Sequence, residues 1–200
     1  SLIGGHIDKK ATLTFGIPAI AGAFVGGWLL VQLGEMAPFT SYQLAGYTYE
    51  LTTINIIIAI LMIVFAFFEL LPRLREWVIP RRMLSVGGLL SGFFGGLSGH
   101  QGALRSAFLV HFGLTKEAFI ATGTTIATFI DITRLIWYAT SILTLSLQAN
   151  WPLLLTAVLS AFVGAYAGRQ LLKKITIITV QYIVGVLLLV LAILLGMGII

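Results

Sequence analysis

The strongest constraint on this chain is a series of long apolar stretches that contain few charged residues. Five of them are long enough to cross a bilayer as a helix, at about residues 13–32, 52–71, 117–140, 151–168 and 176–199. A hydrocarbon core of about 30 Å needs about 20 residues of helix. Since only 10% of the residues are charged, the sequence predicts an all-α integral membrane protein with several spans.

The composition excludes several kinds of site. The chain has no cysteine, so it has no disulfide, no thiol nucleophile and no cysteine-bound metal. Its histidines, His6, His100 and His111, lack the spacing of a metal site. We therefore expect no metal and no cofactor.

The positive net charge of +5 has an explanation that does not involve nucleic acid. The basic residues lie at the ends of the apolar stretches, where they orient a protein in the membrane. Nucleic acid is therefore not an expected partner.

A sixth apolar region, residues 83–114, is interrupted by Gly95, Gly96, Gly99 and Gly102. Its halves, "MLSVGGLLSGFFGGLSG" and "GALRSAFLVHFGL", would each form only about 20 to 25 Å of helix. Each half is too short for a core of about 30 Å. The region is therefore predicted to be a broken helix.

The basic loop residues predict the path of this region. If it enters and leaves the membrane on one side, ten of them face that side, and if it crosses, the division is six to four. They are Lys9, Lys10, Arg73, Arg75, Arg81, Arg82, Lys116, Arg169, Lys173 and Lys174. The positive-inside rule favours the first arrangement. Region 83–114 is thus predicted to be a re-entrant hairpin that rises from the cytoplasmic side, with its tip inside the membrane.

An internal repeat supports this topology. The sequence "AFVG" occurs at 23–26 and again at 161–164, and an apolar span follows each copy. Lysines precede the first copy and basic residues follow the second, so the two copies run in opposite directions. Such inverted repeats are typical of secondary transporters.

The repeat divides the chain into two domains. Residues 83–200 form one repeat, with the hairpin and three spans, and residues 1–82 are the remainder of the other, with two spans and a cytoplasmic loop. The first repeat would then lack its own hairpin. The opening "SLIGGHIDKK" has no methionine and no signal-peptide pattern, so we expect a trimmed or incomplete start.

The hairpin tip is the first candidate site. Backbone without helical hydrogen bonds is tolerated at membrane depth only if it is buried or lines a cavity. The second half-helix begins near Gly102, so its free N–H groups and positive dipole end would favour an anion there. Arg105 lies one turn further and offers paired donors to an oxyanion. The other expected ligands at the tip are Ser98, Gly99, His100, Gln101 and Gly102.

Simpler interpretations stay open for some of these residues. Gly88, Gly92 and Gly96 recur every four residues, and such a stripe of small residues usually lets another helix pack closely. His100 could be a buried histidine with a structural role.

The stretch at 117–140 adds polar residues inside a span. Thr124, Thr128 and Asp131 share a helical face, and Arg134 follows Asp131 by three residues. The threonines are either substrate ligands or donors to their own helix. Ionisable residues in a span mark ion or proton pathways, so Arg134 is a candidate substrate ligand and Asp131 a candidate proton-coupling residue. The alternative is a structural ion pair.

The stretch "GGLLSGFFGGLSGHQGALRSAFLVHFGLTKEAFIATGTT", with the Asp131 to Arg134 segment and the last two spans, resembles the sulfite exporter TauE/SafE family of bacterial membrane transporters. The resemblance covers about residues 85–200, with the first two spans as the tail of the first repeat. It implies two repeats built from a glycine-rich broken hairpin and spans. It also implies transport of small sulfur-containing or organic anions, such as sulfite, sulfoacetate and related sulfonates.

The chain departs from the family pattern at the tip. The family turn usually reads GxxGxGGG followed by proline. This chain has His100 and Gln101 where glycines are common, and Ser106 or its neighbours where the proline would stand.

We therefore expect a secondary transporter of small anions in the bacterial inner membrane, with cytoplasmic basic loops and no enzymatic activity. Its partners would be the anion and the bilayer, with a homo-oligomer as a further possibility. The alternatives are a passive anion channel and a membrane scaffold or assembly factor that transports nothing. A hydrolase is disfavoured, because Ser98 and His100 are poorly spaced for proton transfer.

Overall fold

The computed structural model describes residues 7–44, 46–71, 83–144, 147–171 and 176–199. Its helices are α1 (Lys9–Gly34), α2 (Thr53–Leu70), α3 (Leu84–Ser98), α4 (Gly102–Leu109), α5 (Lys116–Thr144), α6 (Leu147–Leu171) and α7 (Ile177–Gly196). Helix α1 contains a π-helical turn at Thr12–Gly16, and a short 3-10 turn at Val110–Phe112 follows α4.

Five helices in the described ranges, α1, α2, α5, α6 and α7, contain stretches long and apolar enough to cross a membrane. They coincide with the five apolar stretches of the sequence. The prediction of an all-α multi-pass membrane protein is confirmed. The predicted break in region 83–114 is also confirmed, because α3 ends at Ser98 and α4 begins at Gly102.

Side-chain caps define the starts of four helices in the described ranges, including α5, where Thr115 accepts a hydrogen bond from the Ala118 backbone N–H at 3.3 Å. Asp8 accepts a hydrogen bond from the Ala11 backbone N–H at 2.6 Å, and Thr52 accepts one from Asn55 at 3.2 Å. Thr176 does the same for Thr179 at 3.2 Å. Such caps satisfy donors that have no partner in the first turn of a helix.

A β-hairpin connects α1 to α2. This hairpin was not predicted from the sequence. Strand β1 (Thr40–Leu44) pairs antiparallel with β2 (Tyr47–Leu51), and Gly46 in the turn has a φ of 85°. The strands are rich in β-branched and aromatic residues, which favour this conformation. Tyr42 donates a hydrogen bond to the Met197 carbonyl at 2.5 Å. The hairpin is thus tied to the end of α7.

Helix α1 packs directly against α3 along a stripe of glycines. The facing pairs are Gly88 with Phe15, Gly92 with Ala19 and Gly96 with Ala23. A Cβ at any of these glycines would overlap the backbone of α1. The packing interpretation of the stripe is confirmed. From one pair to the next, the residue number increases in both helices, so α1 and α3 are parallel.

Helices α3 and α4 form a hairpin that returns to the end of the molecule where it starts. Gly87 of α3 lies against the Phe108 ring, whereas Gly95 lies against Gln101, so α4 runs antiparallel to α3. Helix α5 then runs parallel to α1, because Gly16 faces Ile126 and Gly27 faces Trp137.

Lys9, Lys10, Met83 and Lys116 therefore lie at one end of the bundle, which we call the basic end. This geometry agrees with the predicted same-side path. Arg73, Arg75, Arg81, Arg82, Lys173 and Lys174 lie outside the described residues.

The core surrounds the hairpin. It is formed by residues of α1, α3, α4 and α5, namely Ala11, Phe15, Ala19, Ala23, Leu84, Phe108, Leu109, Ile126 and Ile130. Helix α2 packs against α7 in antiparallel orientation, with Gly185 beside Leu70 and Gly196 beside Ala59. The window Trp151–Gly168 of α6 has no buried residue. The division into repeats at 1–82 and 83–200 stays a prediction.

Candidate functional site

The site is built around the turn between α3 and α4. Gly99 caps α3 with a φ of 79°, and its N–H donates to the Gly95 carbonyl at 3.0 Å. Glycine adopts this left-handed conformation without steric cost. A Cβ at position 99 would lie 2.5 Å from Nη1 of Arg134. Glycine is therefore required here by the backbone and by the neighbouring guanidinium.

Helix α4 begins at this turn with an open N-terminus. Gln101 precedes its first residue, and its side chain makes no capping hydrogen bond. Gly102 is exposed, and a Cβ there would meet nothing within 4 Å. The first-turn N–H groups and the positive dipole end face an accessible space, which suits an anion.

Gln101 is the most enclosed polar residue of the tip, with 5% of its surface exposed. Its backbone carbonyl accepts hydrogen bonds from the Ser91 hydroxyl at 3.4 Å and from the Arg105 N–H at 2.9 Å. Its side-chain Cδ lies 3.2 Å from where a Cβ of Gly95 would be. The side-chain oxygen Oε1 is buried and has no hydrogen-bond partner among the described residues.

Arg134 reaches the same turn from α5, and its contacts are long. Nη1 donates to the Gly95 carbonyl at 3.5 Å, and Nη2 lies 3.8 Å from Oδ1 of Asp131. The guanidinium also lies 5.5 Å from the centre of the Tyr138 ring. Its Nε is buried without a partner in the described part of the chain. Strong hydrogen bonds to guanidinium are nearer 2.7–2.9 Å, so Arg134 retains donor capacity.

Arg105 supplies a second guanidinium. Its Nε packs against Gly123, 3.5 Å from where a Cβ would be. Its Nη1 is buried and is not hydrogen-bonded to any described residue. The Asp131 carboxylate acts electrostatically on Arg105 as well as on Arg134. Arg105 and Arg134 thus both interact with the single carboxylate of Asp131. The three side chains together carry a net charge of +1 when the carboxylate is ionised.

His100 lies at the edge of this group. Its ring stacks on Phe65 of α2, with centres 6.1 Å apart and planes 20° from parallel. It also lies within electrostatic range of Arg134. Its Nδ1 is buried and unpaired within the described ranges. The histidine therefore packs against α2 and also lies near the charge of Arg134.

The structure does not bring all the predicted ligands together. Thr124 and Thr128 are exposed, and the Thr128 hydroxyl donates to the Thr124 carbonyl at 3.0 Å. They lie about half a turn from Ile126 and Ile130, which face the core. Ser98 donates to the Phe94 carbonyl of its own helix at 3.0 Å. A role for these three hydroxyls in binding stays a prediction.

Three neighbours of the site were not predicted from the sequence. They are Phe65, Ser91 and Tyr138. Ser91 could have been found, because a serine within a glycine stripe is a polar group in a buried helix. Phe65 carries no such signal, since it is one of many aromatic residues in an apolar span.

The group contains the kinds of donor that can bind an anion. It offers guanidinium donors, a helix N-terminus and a polar amide, whereas the described residues contain no cluster of groups able to hold a metal ion.

Comparison with known proteins found one matching family model. The family model described as "Sulfite exporter TauE/SafE" matches residues 2–195. Searches of curated proteins and of solved structures found no match.

Proposed function

Because the chain belongs to the sulfite exporter TauE/SafE family, which implies a membrane transporter of sulfite or related anions, we propose that it is a secondary transporter. It moves a small oxyanion, such as sulfite or a sulfonate, across the bacterial inner membrane. The observation that carries this proposal is the unused donor capacity of Arg105 and Arg134 beside the open N-terminus of α4.

The depth of the tip supports a site inside the membrane. Helix α3 has 15 residues, so the tip lies about 22 Å from the basic end of a core about 30 Å thick. An anion at this depth needs fixed donors in place of water. Arg105, Arg134 and the first N–H groups of α4 supply them.

Asp131 couples the anion to a proton in this proposal. With its carboxylate ionised, the three charged side chains sum to +1, and with it protonated they sum to +2. A proton on Asp131 therefore increases the attraction for an anion. Half of this side chain is exposed, which gives a proton access to it.

Alternating access follows from the proposed repeats. Rocking of residues 1–82 against residues 83–200 would expose the tip to each side of the membrane in turn. The basic end would face the cytoplasm, as the positive-inside rule requires.

A flux assay in proteoliposomes tests the proposal, with radiolabelled sulfite and a radiolabelled sulfonate. Arg105→Gln and Arg134→Gln should each reduce uptake by about tenfold or more, because a hydrogen bond from a charged group contributes about 1.5–3 kcal/mol. Lys10→Gln is the matched control, since Lys10 is an exposed cation at the basic end. It should retain full uptake.

Other outcomes would contradict the proposal. Unchanged uptake in both arginine variants would reject the site. Flux that ignores a proton gradient and far exceeds about 1000 ions per second would indicate a channel. Absence of flux with a co-purifying protein would indicate a scaffold.

A further inference from the structure

Gln101 places a buried, unpaired acceptor beside the guanidinium and helix N–H donors of the site. Its side chain is almost fully enclosed, yet Oε1 has no donor among the described residues. A buried carbonyl oxygen without a donor is unfavourable, and the loss is recovered when a donor arrives. An O–H group on a bound ligand would supply such a donor.

The backbone of Gln101 is held by its neighbours, and its side chain packs against a glycine. Two hydrogen bonds hold the backbone carbonyl of Gln101, one from Ser91 and one from Arg105. Gly95 gives the amide its space, because a Cβ there would be 3.1 Å from Cβ and 3.2 Å from Cδ of Gln101. The side chain therefore lies buried beside α3, next to the turn.

The side chain of Arg134 also contacts Gly95. Its Nη1 donates to the Gly95 carbonyl at 3.5 Å, while its Nε is buried and unpaired in the described part of the chain. Two side chains that contact Gly95 thus carry an acceptor without a donor and a donor without an acceptor. A ligand that satisfies both must itself carry an acceptor and a donor.

A fully ionised oxyanion has acceptors only, so it would satisfy the arginines and face the lone pairs of Oε1. An oxyanion that retains one O–H satisfies both groups. We propose that the site selects proton-bearing oxyanions and that Gln101 is the residue that recognises the proton. This inference rests on the proposed anion site, and among the proposed substrates it favours singly protonated sulfite over a sulfonate, which carries no O–H group.

Two probes of the same shape and charge separate the states. At about pH 5, below the second ionisation of a phosphoryl group near about 6, methylphosphonate carries one negative charge and one O–H. Methanesulfonate carries one negative charge and no proton. The purified protein should bind methylphosphonate about tenfold more tightly by calorimetry, because methanesulfonate leaves Oε1 unpaired.

Gln101→Met removes the acceptor and keeps a side chain of similar length. This variant should bind the two probes with about equal affinity, chiefly because methylphosphonate binding weakens. The matched control is Gln43→Met, which makes the same change on an exposed residue of β1. It should keep the wild-type preference.

A pH series on the unmodified protein gives an independent test that needs no folded variant. At about pH 9.5 methylphosphonate has lost its second proton and carries two negative charges, so attraction to arginine alone would tighten its binding. The quantity to compare is the ratio of the affinity for methylphosphonate to the affinity for methanesulfonate. The proposal predicts that this ratio is smaller at the higher pH than at about pH 5.

Each outcome has a distinct meaning. Equal affinities in the wild-type protein, or a preference that Gln101→Met leaves unchanged, would overturn the selection of a proton and leave the anion site intact. A wild-type protein that binds neither of these anions nor sulfite would overturn the proposed function itself.

Discussion

Arg134 can reach the turn between α3 and α4 only because residue 99 has no side chain. The guanidinium occupies the space that a Cβ would fill, and the backbone there has a φ of 79°. A single glycine therefore sets the shape of the turn and the position of a charge.

Gly99→Ala should lower the stability of the protein and displace Arg134. A left-handed conformation costs a non-glycine residue about 1–2 kcal/mol, and the new methyl group would push Nη1 away from the Gly95 carbonyl. Thermal unfolding in detergent, with and without sulfite, measures both effects. Gly164→Ala in α6 is the control, because a Cβ there meets nothing within 4 Å and the residue is not part of the site. Equal stability and equal response to sulfite in the two variants would contradict this account.

At the residue scale, the sequence predicts the charged and amide groups of the site better than its hydroxyls. Arg105, Arg134 and Asp131 stand out because charges are costly in apolar helices. Thr124 and Thr128 share a face with Asp131, but helical periodicity does not say which neighbour covers that face. The three-dimensional packing leaves those threonines exposed.

At the scale of elements, α3 packs against different neighbours with two of its faces. One face brings its backbone against α1 through Gly88, Gly92 and Gly96, and the other brings Gly95 to Gln101 and Ile130. The glycine periodicity predicted the first contact correctly. It could not identify α1 as the partner, because a stripe of small residues is compatible with any helix.

Gly92→Ala should destabilise the bundle. The added methyl would overlap the backbone of Ala19, and overpacking of this kind costs about 1–3 kcal/mol. Gly164→Ala in α6 is the control, since its Cβ would meet nothing within 4 Å. Thermal unfolding should show a lower midpoint for Gly92→Ala only, and a midpoint unchanged from wild type would show that α1 and α3 are not in close contact.

The β-hairpin was missed for a different reason. Its strands have five residues each and lie between two spans that dominate the hydropathy of the sequence. Short strands also need a cross-strand partner for stability. Tyr42 and Tyr49 have ring centres 5.5 Å apart. This contact forms only when the turn brings the two strands together.

At the scale of the whole molecule, the path of the hairpin is the feature that charge counting predicted most directly. Since α3 and α5 both run parallel to α1, the chain returns to the basic end before α5 starts. In a membrane, Lys10 and Glu117 should therefore face one compartment and the β-hairpin the other.

Labelling of single cysteines tests this arrangement. The sequence contains no cysteine, so each introduced cysteine is the only thiol in the sequence that can react. Lys10→Cys and Glu117→Cys should react with an impermeant maleimide from one side of oriented vesicles, and Thr48→Cys from the other. All three positions are exposed. Labelling of Lys10→Cys and Glu117→Cys from opposite sides would show that the hairpin crosses the membrane.

The depth of the hairpin tip has an electrical consequence. At about 22 Å into a core of about 30 Å, an anion that enters from the basic end crosses roughly 70% of the membrane field. With the basic end negative, a potential of about 100 mV then favours occupancy by about 1.6 kcal/mol per charge, or roughly tenfold. Affinity measured from that side under imposed diffusion potentials should rise by this factor. Membrane voltage, as well as concentration, would then decide how often the site is filled.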